Sequence, residues 1–362
     1  MKMRMLHTTE PGVTFLVLAA CLFIFSSGVK AADDCRPSGD LSYLCGPQNA
    51  EDILPIGDSD WLLASGMDGS RGDTGVTGHI YLVNHRNKTY EVFFPGARPA
   101  YEQDMEMFSD CPGPINPEKF SAHGLALQAQ TDNYYRLYIT SHGEREAIEV
   151  FDIDNVSSKP SITWVGCVML PDKVWSNSVV ILPDGGFITT NFMDQTNPGA
   201  FADIMQGKIT GNVYEWHPGG VVQAIAGTEL SGANGIALSQ DNRWLYVNAF
   251  GSHEVARFDR SSSPLKKDTV AVPITPDNIR WGDDGLLYIV GGNVVAPGDC
   301  SSPPCMTGWS VFSIDPQTLA AKRITGADQS AALQGASAAV PVGNAIWIGT
   351  YSGDRVGYLP RP

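Results

Sequence analysis

The sequence predicts an all-β chain folded as a six-bladed β-propeller, with four-stranded antiparallel blades around a central channel. Three observations predict it. One hairpin-like unit recurs six times, further β-rich segments join the copies, and no long stretch between them carries the 3.6-residue apolar period of a helix. The composition agrees: 38 glycines, 43% hydrophobic and 17% charged residues suit many tight turns, a large core and a modestly charged surface.

Each unit opens on a polar residue, runs through an apolar strand, turns on Gly, Asp or Asn, and returns through a second strand to a small or polar exit. The copies are EDILPIGDSDWLLASG from Glu51, HGLALQAQTDNYYRLYITSHG from His123, NSVVILPDGGFITTNF from Asn177, NGIALSQDNRWLYVNAFGS from Asn234, DNIRWGDDGLLYIVGG from Asp277 and GASAAVPVGNAIWIGTYSG from Gly335. Turns such as Pro183-Asp184-Gly185-Gly186 and Asp283-Asp284-Gly285 reverse the chain between β-rich runs. Further strand-like segments lie at 79–83, 89–94, 147–153, 212–216, 221–225 and 253–258, so two strands from each hairpin and two from the stretch after it make a blade. Copies start about 43 to about 72 residues apart, which brackets usual blade lengths. A doubly wound α/β fold is the rival, and it lacks its helices: the one clear helical segment is short, near 200–206.

The N-terminus reads as a processing segment. Lys2 and Arg4 precede an apolar run at 13–29 that ends in Val29-Lys30-Ala31, a small-x-small pattern suited to signal peptidase. We therefore expect a signal peptide at 1–31, a single propeller domain at 32–362, and a secreted or periplasmic protein. An uncleaved anchor is the competing reading, and membrane association is expected only if the segment is retained. Leu18-Ala19-Ala20-Cys21 has the form of a lipobox, but the residues after it stay apolar where a lipoprotein turns polar.

Six cysteines remain after cleavage: Cys35, Cys45, Cys111, Cys167, Cys300 and Cys305. An even number in an exported chain points to disulfides, with about 15 possible connectivities. Cys35–Cys45 and Cys300–Cys305 suit local loops, which would leave Cys111–Cys167 as the long-range pair. Zinc ligation lacks a Cys-x-x-Cys pair and a matching His. A formal charge of −15 with no Lys/Arg run excludes nucleic acid as an expected partner.

In a propeller the innermost strand of each blade runs along the channel, so the residues that open the six copies form a composite site. They are Glu51-Asp52, His123, Asn177, Asn234 and Asp277-Asn278, with Ala336-Ser337 in the sixth copy. Any one Asn or Asp could simply open a strand through side-chain to backbone hydrogen bonds. Their recurrence across five copies points instead to a ring of carboxylate and amide oxygens, whose hardness and charge suit Ca2+. Magnesium's octahedral demand suits such a ring less well, and a single His with no thiolate disfavours zinc.

At these positions the chain resembles the paraoxonase/arylesterase family, within the wider group of calcium-dependent gluconolactonases and strictosidine synthase-like propellers. The similarity runs from Glu51-Asp52-Ile53-Leu54-Pro55 to Leu333-Gln334-Gly335-Ala336-Ser337 and the closing Ile348-Gly349-Thr350. The resemblance implies that Glu51, Asn177, Asn234, Asp277 and Asn278 bind a catalytic calcium, and that His123 and His142 are a histidine dyad. It also implies a second, structural calcium, held by Asp52 and by an Asp after the channel Asn; here that residue is Ser178. The family ties its N-terminal segment to its C-terminus by a disulfide, whereas this chain ends Gly357-Tyr358-Leu359-Pro360-Arg361-Pro362, so closure falls to strand pairing or another bridge.

The chemistry expected from this site is hydrolysis of a small-molecule lactone or ester. Calcium would stabilise the developing oxyanion, His123 would activate a water as general base, and His142 would orient or relay through it. No Gly-x-Ser-x-Gly elbow offers a serine nucleophile. A propeller in which calcium only braces the channel, as a binding scaffold or a strictosidine synthase-like protein, is the alternative. Arg71-Gly72-Asp73 in a Gly-rich loop and the acceptor triplets at Asn87 and Asn155 decide nothing about function. Specificity is expected from loops over the channel mouth at 95–114, 194–207 and 292–307.

Overall fold

The computed structural model describes residues 35–68, 78–295, 306–328 and 333–362, and in it the strands form six sheets arranged as the blades of a propeller. The signal peptide at 1–31, the Arg71-Gly72-Asp73 triplet and the Cys300–Cys305 pair lie outside the described residues. The innermost strands are, in order, Ala50–Pro55, Phe120–Thr131, Val174–Ile181, Ala233–Leu238, Ile274–Trp281 and Ala336–Val342. Each packs against the next around the channel, and the last returns to the first. Within a blade the chain steps outward by antiparallel hairpins, as from Ala233–Leu238 through Trp244–Ala249 and Glu254–Asp259 to Lys266–Ala271.

The sixth blade closes the ring by strand pairing. Its outermost strand, Ser42–Cys45, comes from the start of the described chain and pairs antiparallel with Arg355–Pro360 near the end. This pairing joins the first and last described strands in one sheet. Cys35–Cys45 locks the same outer strand to the segment before it, and Cys111–Cys167 spans 56 residues in the second blade. Both bridges suit an oxidising compartment. No helix among the described residues is long and apolar enough to cross a membrane.

Apolar side chains fill the wedges between blades. Val247, Phe258, Ile188 and Val213 pack between the third and fourth blades, and Leu62, Tyr81, Trp347 and Val356 between the first and sixth.

All six innermost strands carry a β-bulge at the same level. The pairing register slips between Ala50 and Asp52, Ala122 and Leu125, Ser176 and Val179, Ala233 and Ile236, Pro276 and Ile279, and Ala336 and Ala339. In each, the strand gains one residue relative to its partner, which re-aims the side chains there and removes backbone groups from the ladder. Hydroxyls and an amide reclaim those groups. Thr140 Oγ1 accepts from Gly124 N at 2.7 Å and donates to Asn177 O of the next blade at 3.0 Å. Thr190 Oγ1 repeats the pattern, accepting from Ser178 N at 3.0 Å and donating to Asn234 O at 2.7 Å. Asn248 Nδ2 donates to Asp277 O at 2.6 Å, and Ser337 Oγ to Glu51 O at 2.5 Å. The result is a belt of bonds from blade to blade at the height of the bulges. Two glycines let the blades come this close: a Cβ on Gly124 would lie 2.4 Å from Asn177 O, and one on Gly235 2.5 Å from Asp277 O.

One expectation needs correction. Segment 95–114 does not cap the channel mouth: Ala100–Tyr101 adds a parallel fifth strand at the outer edge of the second blade, and Phe108 stacks on Trp216 at 6.2 Å. Its disulfide through Cys111 holds it to that edge. The α-helix Ala200–Met205, within 194–207, does reach the channel, through Phe201.

Thr190→Val removes a bridging hydroxyl and leaves Ser178 N and Asn234 O buried without it. It should lower unfolding free energy by roughly 2–4 kcal/mol, read from urea midpoints, while Thr190→Ser keeps most of the stability. Equal midpoints for Val and Ser would show that the belt contributes nothing at this joint.

Candidate functional site

The bulges turn Glu51, His123, Asn177, Asn234, Asp277 and Asn278 toward one another, and all six side chains are buried. Five of them, without Asn278, line a cavity of about 160 Å³ whose upper wall is Met67, Phe192, Phe201, Phe250, Met306 and Tyr351. An adjoining cavity of about 310 Å³ shares Phe250, Asp277, Met306 and Tyr351. The site thus has a polar floor and an apolar wall.

Hydrogen bonds fix which way the amides point. Asn278 Nδ2 donates to Glu51 Oε1 at 2.7 Å, and Asn177 Nδ2 faces His123 Nε2 at 3.3 Å. Both of these amides turn a donor onto a neighbour in the ring. The carbonyl oxygens of Asn177, Asn234 and Asn278 remain buried without a hydrogen-bond donor. A buried polar atom left in that state costs on the order of 1–3 kcal/mol, so three together mark a place made to receive a positive partner. Among the described residues no three His, Cys, Asp or Glu side chains cluster at metal-ligand spacing. The ring itself offers hard oxygen from amides and the carboxylates of Glu51 and Asp277, a donor chemistry closer to calcium's preference than to zinc's.

His123 does not act alone. Its Nδ1 lies 2.8 Å from Nε2 of His142, and Nδ1 of His142 lies 2.8 Å and 3.0 Å from the two carboxylate oxygens of Glu146. A carboxylate only accepts, so His142 carries its proton on Nδ1. Its Nε2 then accepts from Nδ1–H of His123, and the lone pair of His123 falls on Nε2, facing Asn177 and, at 3.6 Å, Glu51 Oε1. Trp175 stacks on His142 at 5.0 Å and meets the His123 ring edge-on at 5.7 Å, holding both planes.

Glu146 and Trp175 escaped the sequence reading. Glu146 sits in the turn after His142 and Trp175 two residues before Asn177, and neither belongs to the recurring unit. The one available signal was the spacing His142-x-x-x-Glu146, which joins two side chains across a turn.

Asp52 is placed apart from the ring. Its carboxylate accepts from the backbone N–H of Ile53 at 2.9 Å and of Leu125 at 2.8 Å, and Arg280 pairs with both of its oxygens. Burial pushes the carboxyl up, while the guanidinium and the two amide N–H groups pull it back. Arg280 opens into a cavity of about 520 Å³ in which it is the only charged residue among the described residues, with Leu54, Leu127, Ile181, Ile236 and Trp281 among its lining.

Comparison with known proteins places this site in context. The family model described as the SMP-30/Gluconolactonase/LRE-like region matches residues 119–323. No curated protein matches the chain in sequence. Among solved structures, a gluconolactonase from Xanthomonas campestris is similar with 20% identity over 89% of each chain and a TM-score of 0.52. A luciferin-regenerating enzyme is similar with 14% identity over 88% of this chain and 93% of that one, with a TM-score of 0.53. Regucalcin from Agrobacterium tumefaciens, a calcium-binding protein, is similar with 12% identity over 91% and 92% and a TM-score of 0.51. At these identities the likeness shows a shared fold.

Imidazole 15N spectra of the neutral rings should show protonated Nδ1 and bare Nε2 on both His123 and His142. Glu146→Gln can present an N–H to His142 and should disturb that pattern, whereas Glu146→Asp should preserve it. An unchanged pattern in the Gln variant would show that Glu146 does not set the tautomers.

Proposed function

The chain belongs to the SMP-30/gluconolactonase/LRE-like family, and we propose that it is a calcium-dependent hydrolase of lactones and of aryl or alkyl esters. The observation that carries this reading is the meeting, in one buried cavity, of donor-free amide oxygens with an imidazole whose Nε2 faces Asn177 Nδ2 and Glu51. The gluconolactonase among the fold relatives supports lactone chemistry, and the calcium-binding relative supports the choice of ion.

Glu51, Asn177, Asn234, Asp277 and Asn278 would hold the ion. Bound there, calcium supplies a Lewis acid that polarises a carbonyl and stabilises charge developing on its oxygen. His123 Nε2 takes a proton from the attacking water, the task of a general base. His142 keeps the proton of His123 on Nδ1, and Glu146 keeps the proton of His142 on Nδ1, so the base cannot lose its orientation by tautomerising. The carboxylate of Glu146 also stabilises the positive charge that the rings gain with the proton.

The wall bears on substrate. Met67, Phe192, Phe201, Phe250 and Met306 present carbon, sulfur and aromatic faces, with the Tyr351 ring beside them. Such a surface accepts an alkyl or aryl group beside the reacting carbonyl and offers little to a ring of hydroxyls. We therefore favour apolar lactones and esters over polyhydroxylated ones. The apolar N-terminal run and the two disulfides support export to an oxidising compartment.

Chelation should abolish turnover of aliphatic lactones and phenyl acetate, and added calcium should restore it; turnover indifferent to chelation would sink the reading. His123→Gln should lower kcat by about 100-fold or more with calcium affinity intact. Asn234→Ala and Asp277→Ala should instead weaken calcium binding in a titration. Full activity in the His123 variant would remove the proposed base.

A further inference from the structure

Below the ring, the channel is crossed by a salt bridge that joins three blades. Asp52 extends from the first blade and is fully buried, while Arg280 extends from the fifth with a side chain 12% exposed. Arg280 Nε donates to Asp52 Oδ1 at 3.1 Å, and its Nη2 pairs with Asp52 Oδ2 and donates to Leu125 O of the second blade at 2.9 Å. The backbone N–H groups of Ile53 and Leu125 take one further position on each carboxylate oxygen. A carboxylate has about four lone-pair positions, and four donors fill them here.

This arrangement does not fit the second, structural ion that the family resemblance implies. A metal at Asp52 would need lone pairs that are already engaged, and it would sit against a guanidinium. Where its second carboxylate is expected stands Ser178, whose hydroxyl is buried without a hydrogen-bond partner. We propose that Arg280 is the protein's built-in second cation: its guanidinium neutralises Asp52 and ties the first, second and fifth blades together where a structural ion would otherwise bind. The chain then holds at most one calcium in its channel. Arginine keeps its charge at every working pH, so the joint persists when calcium is withdrawn. A fold braced in this way survives chelation, and calcium is left to serve the ring alone.

The proposal is tested on the mature chain by urea unfolding in chelator and by equilibrium dialysis against calcium. In chelator, the wild type should unfold cooperatively, and Arg280→Met should lose roughly a hundredfold or more in the folding constant, because it leaves a buried carboxylate unpaired. Asp52→Asn combined with Arg280→Met removes that charge as well and should recover most of the loss, which keeps the test decisive if the single variant does not fold. Ser178→Asp combined with Arg280→Met rebuilds two carboxylates; calcium should stabilise it beyond the wild type's own response, with one more ion bound per chain. Two ions on the wild type, or Arg280→Met as stable as wild type in chelator, would overturn the proposal. Only the one-ion count rests on the calcium reading of the ring. The chelator comparisons decide the salt bridge by themselves, so a ring that binds no calcium would sink the earlier reading and leave this one standing.

Discussion

A pleated strand sends successive side chains to opposite faces, so it cannot aim two neighbours into one channel. This propeller meets that constraint with a bulge at one height in every innermost strand. Everything particular to the site follows from it. The bulge turns Asp277 and Asn278 toward the ring together, and it frees backbone groups that Thr140, Thr190 and Asn248 then use to tie one blade to the next. Site geometry and blade registration are thus set by the same bonds.

The channel also shows how a polar interior is kept in a mostly apolar protein. Hydrophobic packing lies between blades, where sheets meet face to face, and the polar residues at the axis sit between apolar linings. Buried polar groups there fall into two kinds. Asp52 and Arg280 satisfy each other and leave no coordination capacity, whereas the ring keeps amide oxygens without donors. Two levels about one residue apart in sequence therefore have opposite chemistry: the lower is complete as a protein structure, and the upper is complementary to a cation.

Much of this was legible in the residues. The six hairpins, the helix near 200 and the polar openings of the copies appear as periodic pattern, and local pattern is what sequence displays. The outer strands were harder to see. Lys266–Ala271 reads KKDTVA and is largely exposed, as a charged edge that discourages pairing with other chains should be, so it carries no apolar alternation. Segment 95–114 was misplaced for a related reason: its position comes from a disulfide and an edge pairing with partners over fifty residues away, and nothing within the segment announces either.

By itself the sequence determined the blade count, the all-β class and the identity of the oxygens and imidazoles at the channel, because each depends on residue type and spacing. Tertiary structure decided what those groups do to one another. It turned the donors of Asn177 and Asn278 onto His123 and Glu51, placed Glu146 behind His142, and drew Arg280 across the channel onto Asp52, 228 residues away. Hydrogen bonding and ion pairing act over a few ångströms, and only the closed ring of blades brings such distant residues within that range.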